Sequence, residues 1–252
     1  MDPLHAAALA GAGLAAGALN TLAGGGSLVL VPALMLVGGG MPADAANASS
    51  RVAIFAQCLA GSATFGRGGK VPTAAAKRIV PPTLLGALIG AWVATRLPNR
   101  IFEPMLLGTL GLMTLALLVN PARFAPPPGA EPRAVRGPAA MAGLFVAGLY
   151  GGVLQAGAGL VFLAILAGGL RYDLVRANAL KALVMLVYIA ATVAVFAAAG
   201  LVHWWPAAVM SVGSVVGAWA AARVAMTSRG LAITKVVVVA AVIGMGIAIA
   251  LR

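Results

Sequence analysis

Residues 20–51 read N-T-L-A-G-G-G-S-L-V-L-V-P-A-L-M-L-V-G-G-G-M-P-A-D-A-A-N-A-S-S-R. An apolar segment stops at Asn20, and Gly24, Gly25 and Gly26 interrupt the chain before a second, short apolar segment. Asp44, Asn47 and Arg51 then open a longer apolar stretch. A weaker copy occupies residues 155–181: Q-A-G-A-G, a short apolar run, and D-L-V-R-A-N-A-L-K. The two stretches read as the two halves of one anion site inside a membrane.

Composition places the chain in lipid. Of 252 residues, 62% are hydrophobic and 9% charged, with a mean hydropathy of +1.04. A soluble domain carries about 25% charged residues, and a chain of this length could not hide so much apolar surface from water. The apolar runs are continuous rather than alternating, which excludes a β-barrel pattern. The 33 glycines suit close helix packing. The net charge of +12 does not indicate nucleic acid, because the basic residues lie between apolar runs and form no single patch. Lys and Arg collect in cytoplasmic loops, which accounts for most of them. Cys58 is the only cysteine, so neither an intrachain disulfide nor a cysteine metal cluster is encoded. The N-terminal run lacks a basic flank and reads as structural.

Taken in order, the apolar runs are 4–19, 28–37, 43–65, 79–97 and 101–119, then 139–154, 160–170, 173–199, 202–222 and 231–251. The first two of each set are short for a hydrocarbon core of about 30 Å. They are expected either to span with tilt or to form re-entrant hairpins, broken at the glycine-rich loops. Between the sets lies a stretch rich in Pro, with Arg123, Arg133 and Arg136. The expected organisation is a first transmembrane repeat at 1–120, a cytoplasmic linker at 121–138 and a second repeat at 139–252.

Duplication is visible in the residues. G-A-L-I-G-A-W-V-A-T-R at 86–96 matches G-S-V-V-G-A-W-A-A-A-R at 213–223, and Ala46-Asn47-Ala48 matches Ala177-Asn178-Ala179. Five runs per half is an odd number, so the halves are expected to insert with opposite orientation. Loop charge agrees: residues 67–78 are basic, whereas 200–206 contain no Lys or Arg. With the basic loops cytoplasmic, both termini lie outside, and Arg96 and Arg100 fall on the wrong side. The fold class is therefore an all-α polytopic membrane protein of two inverted-topology repeats.

Asn47 and Arg51 lie one turn apart on one helix face, as do Asn178 and Lys181 at a spacing of three. A basic residue at the centre of a membrane helix costs about 2.5–3.5 kcal/mol on insertion scales. It normally faces a cavity or a partner, and Asp and Glu number only five in the whole chain. The expected partner is a travelling anion. Helices starting after Gly26 and Gly159 would offer free N–H groups and a positive dipole end. Asn20, Thr21, Ser27, Ser49, Ser50, Gln155 and Gly157 would add donors. Asp44 and Asp173 read first as N-caps, and second as proton-coupling groups. Trp92 and Trp219 read as interfacial or packing residues, and His203 as structural.

Gly24-Gly25-Gly26 followed by Val31-Pro32, the Ala-Asn-Ala stretch leading to Arg51, and the echo in the second half resemble the sulfite exporter TauE/SafE family, the four-toluene-sulfonate uptake permease group. That resemblance covers nearly the whole chain. It implies transport of sulfite, sulfonates such as sulfoacetate, or related small organic anions across a bacterial inner membrane. Ala158 stands where the first half has Gly25, and Lys181 comes one residue earlier than Arg51 predicts. The favoured reading is thus a secondary carrier with no cofactor, working by alternating access. An anion channel and a carrier of another small carboxylate are the alternatives. An enzyme is disfavoured, since His5 and His203 have no carboxylate cluster beside them, and no P-loop is present. GxxxG faces at 86–90 and 213–217 could serve packing within the chain or in a homodimer.

Overall fold

A computed structural model describes residues 2–118 and 130–227. Over these residues the chain is all-helical, with no strand among them. The helices are α1 (Pro3–Ala23), α2 (Ser27–Val37), α3 (Ala43–Arg67), α4 (Thr73–Ala94), α5 (Asn99–Leu118), α6 (Pro138–Val153), α7 (Ala158–Leu163, continued by a π-helical stretch over Ala164–Gly169), α8 (Leu174–Ala198) and α9 (Trp204–Ala225). Helices α1, α8 and α9 are each long and apolar enough to cross a bilayer. The run at 231–251 and most of the linker lie outside the described residues.

Two boundaries differ from the sequence reading. The first helix does not stop at Asn20 but runs to Ala23, giving 21 residues, or about 31 Å of rise. Asn20 is tolerated inside the helix because the break that follows packs against it: a methyl group on Gly26 would overlap the Asn20 side chain and the Ala16 carbonyl. The helix ends where Gly24 turns left-handed at φ 81°, its N–H donating to the Asn20 carbonyl. The first run is therefore of full spanning length, and among the described residues the short apolar helices are α2, α6 and α7 with its π-helical continuation. The second correction concerns Lys77 and Arg78. The basic loop closes earlier than charge alone suggests, and both residues lie in the opening turns of α4.

Helix α3 has the length to span but not the hydropathy. Asn47, Ser49, Ser50, Arg51 and Gln57 are all buried in it. Its polar residues face protein, while the exposed large side chains of the other helices, such as Leu85, Ile89, Val212 and Val216, face outward. In lipid this inside-out distribution is the expected one, because polar groups gain only where protein or a wet cavity surrounds them.

The helices pack in crossed pairs set by small residues. On α1, Gly13 lies against Met210 and Ser214, and Gly17 against Ser214 and Ala218 of α9. On α4, Gly86 lies against Phe145 and Leu149, and Gly90 against Leu149 and Val153 of α6. Both pairs run parallel, and glycines of the partner helices (Gly213 and Gly217, Gly148 and Gly152) return the contact. The long helices α3 and α8 instead run antiparallel. Arg51 meets Thr192 and Phe196, Gly61 meets Ala182, and Phe65 clusters with Ala179. At the far ends of the matched segments, the Arg96 guanidinium lies 3.9 Å over the Trp92 ring and Arg223 4.2 Å over Trp219. The repeated W-x-x-x-R thus forms the same cation–π pair twice, at exposed helix ends.

Backbone-to-backbone contact of this kind tolerates no side chain. Gly17→Leu should push α1 from α9 and cost about 1–3 kcal/mol or more of overpacking. Gly11→Leu on the same helix, where no atom lies within 4 Å, should be tolerated. Size-exclusion profiles and unfolding midpoints of the two variants in detergent check this.

Candidate functional site

A helix ends with four carbonyls that have no intrahelical partner. At the end of α6 these carbonyls point at α3. Arg51 donates from one terminal nitrogen to the Gly151 carbonyl at 2.9 Å and from the other to the Gly152 carbonyl at 2.7 Å and the Val153 carbonyl at 3.3 Å. Asn47 adds a bond from Nδ2 to the Val153 carbonyl at 3.1 Å. Arg51 is 0% exposed. The Phe196 ring lies 4.5 Å from the guanidinium carbon, and the Thr192 hydroxyl accepts from the guanidinium at 3.2 Å.

The other long helix does the same to the other broken one. Lys181, 1% exposed, donates from Nζ to the Asn20 carbonyl at 2.6 Å and the Thr21 carbonyl at 3.5 Å at the end of α1. Its third donor goes to Asn178 Oδ1 at 2.6 Å, and Asn178 Nδ2 reaches the Leu22 carbonyl at 3.5 Å. Each long helix therefore caps the broken helix of the opposite half with a cation and an amide. A positive group at a helix C-terminus is favoured by the macrodipole, which carries about half a negative charge there.

The expectation that these cations lack a protein partner is corrected by this arrangement. Their partners are helix-end carbonyls. Those carbonyls are neutral groups, however, and among the described residues no carboxylate forms an ion pair with either cation. The two sites also differ. The three Lys181 donors are all engaged, whereas Arg51 Nε is buried with no hydrogen-bond partner, as is Gln155 Nε2. Gln155 Oε1 is held by the Tyr188 hydroxyl at 3.2 Å and approached by the Arg51 guanidinium at 3.5 Å.

The two breaks touch. A methyl group on Gly24 would overlap the Gly159 backbone, and one on Gly159 would overlap Gly24. Ser27 ties them together, its hydroxyl donating to the Gln155 carbonyl at 3.0 Å and accepting from the Gly157 N–H at 2.8 Å. Gln155 holds φ 55° and Gly157 φ 68°, left-handed backbone that costs a non-glycine residue about 1–2 kcal/mol. The first backbone bonds of α2 run from Leu28, Val29 and Leu30 to Gly25 and Gly26, leaving the N–H groups ahead of them outside the helical ladder.

The structure thus brings together Asn20, Thr21, Gly24, Ser27, Asn47, Arg51, Gln155, Gly157, Gly159, Asn178 and Lys181. Ser49 and Ser50 are turned to other tasks: Ser49 accepts from the His203 N–H at 2.8 Å, and Ser50 donates to the Asn47 carbonyl. Asp173 caps α8 as read, accepting from the Val175 and Arg176 N–H groups. Asp44 is not the cap of α3. The cap position is Pro42, two residues earlier, and the Asp44 carboxylate accepts from the Ala45 N–H in the first turn. Tyr188, Thr192 and Phe196 were missed. They follow Lys181 at helical spacing along one face of α8, and a polar pair on that stripe within an apolar run was the available signal. Gln57, to which the sequence assigns no role, has a buried and unpartnered amide.

The chain as a whole resembles known proteins. The chain is 28% identical over 233 residues, 90% of its own length and 88% of the other's, to a protein of Haemophilus influenzae (strain ATCC 51907 / DSM 11121 / KW20 / Rd) described as "Probable membrane transporter protein". No solved structure matches it significantly. A family profile described as "Sulfite exporter TauE/SafE" matches residues 9–249. The chain belongs to the TauE/SafE family of membrane transporters, which are not enzymes.

Proposed function

We propose that this transporter is a secondary carrier of a small sulfur oxyanion, sulfite or an organosulfonate such as sulfoacetate, acting by alternating access in the bacterial inner membrane. The observation that carries this reading is a pair of buried donors without partners, Arg51 Nε and Gln155 Nε2, on side chains that approach each other at 3.5 Å through a terminal guanidinium nitrogen and Gln155 Oε1. An oxyanion bridging Arg51 Nε and Gln155 Nε2 would supply the missing acceptor and the missing negative charge together. Lys181 acts at second hand, holding the end of α1 and adding positive field. Asp44 and Asp173 stay at the helix starts as the acidic groups available for coupling.

We read the chain as two inverted repeats, 1–120 and 139–252, joined by a cytoplasmic linker at 121–138, and the described helices support the inversion. Helices that match in sequence, α3 and α8, run antiparallel, and the matched pairs α1–α9 and α4–α6 exchange partners between the halves. Rocking one half against the other must loosen the Arg51–α6 and Lys181–α1 caps. An anion at the crossing compensates the cations as their carbonyls withdraw. The alternatives, an anion channel and a carrier of another small carboxylate, use the same charges. Saturation and counterflow across vesicles distinguish a carrier from a channel.

Arg51→Ala should abolish organosulfonate binding measured by calorimetry on monodisperse protein. Lys181→Gln should weaken it less while lowering the unfolding midpoint, since it removes the cation from the end of α1. Undiminished affinity in both variants would place the site elsewhere. Gln155→Glu sets a carboxylate where the anion is proposed to sit. It should pair with Arg51, keep or raise the unfolding midpoint, and eliminate sulfite and sulfonate uptake. Loss of a charge-assisted contact of about 1.5–3 kcal/mol corresponds to a drop of about 10- to 150-fold in affinity.

A further inference from the structure

The bundle carries a second cationic feature, on its outer surface and separate from the crossing. Where α4 begins, a cavity of about 530 Å³ is lined by Thr73, Lys77, Arg78 and Tyr172, with Ala134 and Val135 of the linker's end as its far wall. Continuous with it through Thr73 and Lys77, a groove of about 380 Å³ runs between α4 and α8 along Val80, Pro81, Leu183 and Val187. The upper chamber is basic and the lower one almost wholly apolar.

The chamber and the groove together call for an anion with a hydrocarbon tail. Lys77 and Arg78 are exposed cations in the opening turns of a helix, where the dipole is already positive and no acidic residue occupies the first turn. Among the described residues neither has a carboxylate within ion-pair distance. Pro81 and Pro82 remove the N–H groups that would bond the Lys77 and Arg78 carbonyls, so acceptors for headgroup hydroxyls stand at the same level. The groove below runs along the lipid-facing side, where an acyl chain would lie. The duplicate lacks this chemistry: with Gly213 set against Gly86, the positions of Lys77 and Arg78 are held by Trp204 and Trp205, both exposed. Aromatic rings suit a bilayer interface in general, whereas paired cations above an apolar slot select a negative headgroup.

We propose that the groove between α4 and α8 is a binding site for one anionic glycerophospholipid, its phosphate between Lys77 and Arg78 and one acyl chain along Val80, Pro81, Leu183 and Val187. This site lies beside the α4–α6 and α3–α8 packing that any rocking motion must slide, so its occupant is placed to tune that motion. It does not depend on which anion the carrier moves.

Native mass spectrometry of the full-length protein, released from detergent with added phosphatidylglycerol or phosphatidylcholine, tests it. The wild type should retain one phosphatidylglycerol per chain in preference to phosphatidylcholine. Lys77→Gln/Arg78→Gln, at exposed positions, should weaken that retention by about thirtyfold. Leu183→Trp, which fills the slot and leaves both charges in place, should also reduce it. Undiminished retention in the charge variant would overturn the proposal. So would loss in the charge variant with none in Leu183→Trp, which would mean general surface attraction. Displacement of the lipid by millimolar inorganic phosphate would mean a free-anion site and would overturn it equally.

Discussion

Two positive side chains seated on the open ends of two broken helices are the constraint on which the rest of this protein depends. A helix that stops inside a membrane protein exposes carbonyls that lipid cannot satisfy, each worth several kcal/mol. A buried guanidinium or ammonium has the opposite problem, with a desolvation cost of several kcal/mol. Arg51 on the end of α6 and Lys181 on the end of α1 solve both at once. Each break is buried against its cation, and each cation is buried on a break.

The crossing follows from that exchange. Each long helix must reach the break of the other half, so α3 and α8 lie side by side and antiparallel. Helices α1 and α6 must then deliver their ends to the centre, which their glycine faces allow by running in backbone contact with α9 and α4. With both ends delivered, Gly24 and Gly159 meet, and Ser27 bridges to Gln155 and Gly157. Polar groups thus accumulate in the middle of a molecule whose outer surface is Leu, Val and Ile.

The match between halves is close in architecture and loose in chemistry. Arginine has more donors than the α6 end uses, and its Nε is left over beside Gln155. Lysine has three, and the α1 end with Asn178 consumes them. A one-residue shift between the two cations, together with the choice of fork against point charge, makes two similar caps unequal in the donors they use.

Much of this was determined by the sequence alone. Apolar runs of spanning length, Gly-rich interruptions and deep Asn-x-x-x-Arg and Asn-x-x-Lys pairs are local facts, and they identified a helical membrane protein with its polar centre at residues 20–51 and 155–181. The matched G-x-x-x-G-A-W segments of α4 and α9 are legible in the same way. What tertiary structure alone decided is who meets whom. No local pattern says that Arg51 belongs to the end of α6 rather than to its own half, that Tyr188 and Thr192 face it, that α1 continues through Asn20, or that Lys77 and Arg78 are helical. Hydropathy reports whether a side chain is costly in lipid. Only the fold supplies the carbonyl that removes the cost, because that partner is 100 residues or more away in the chain.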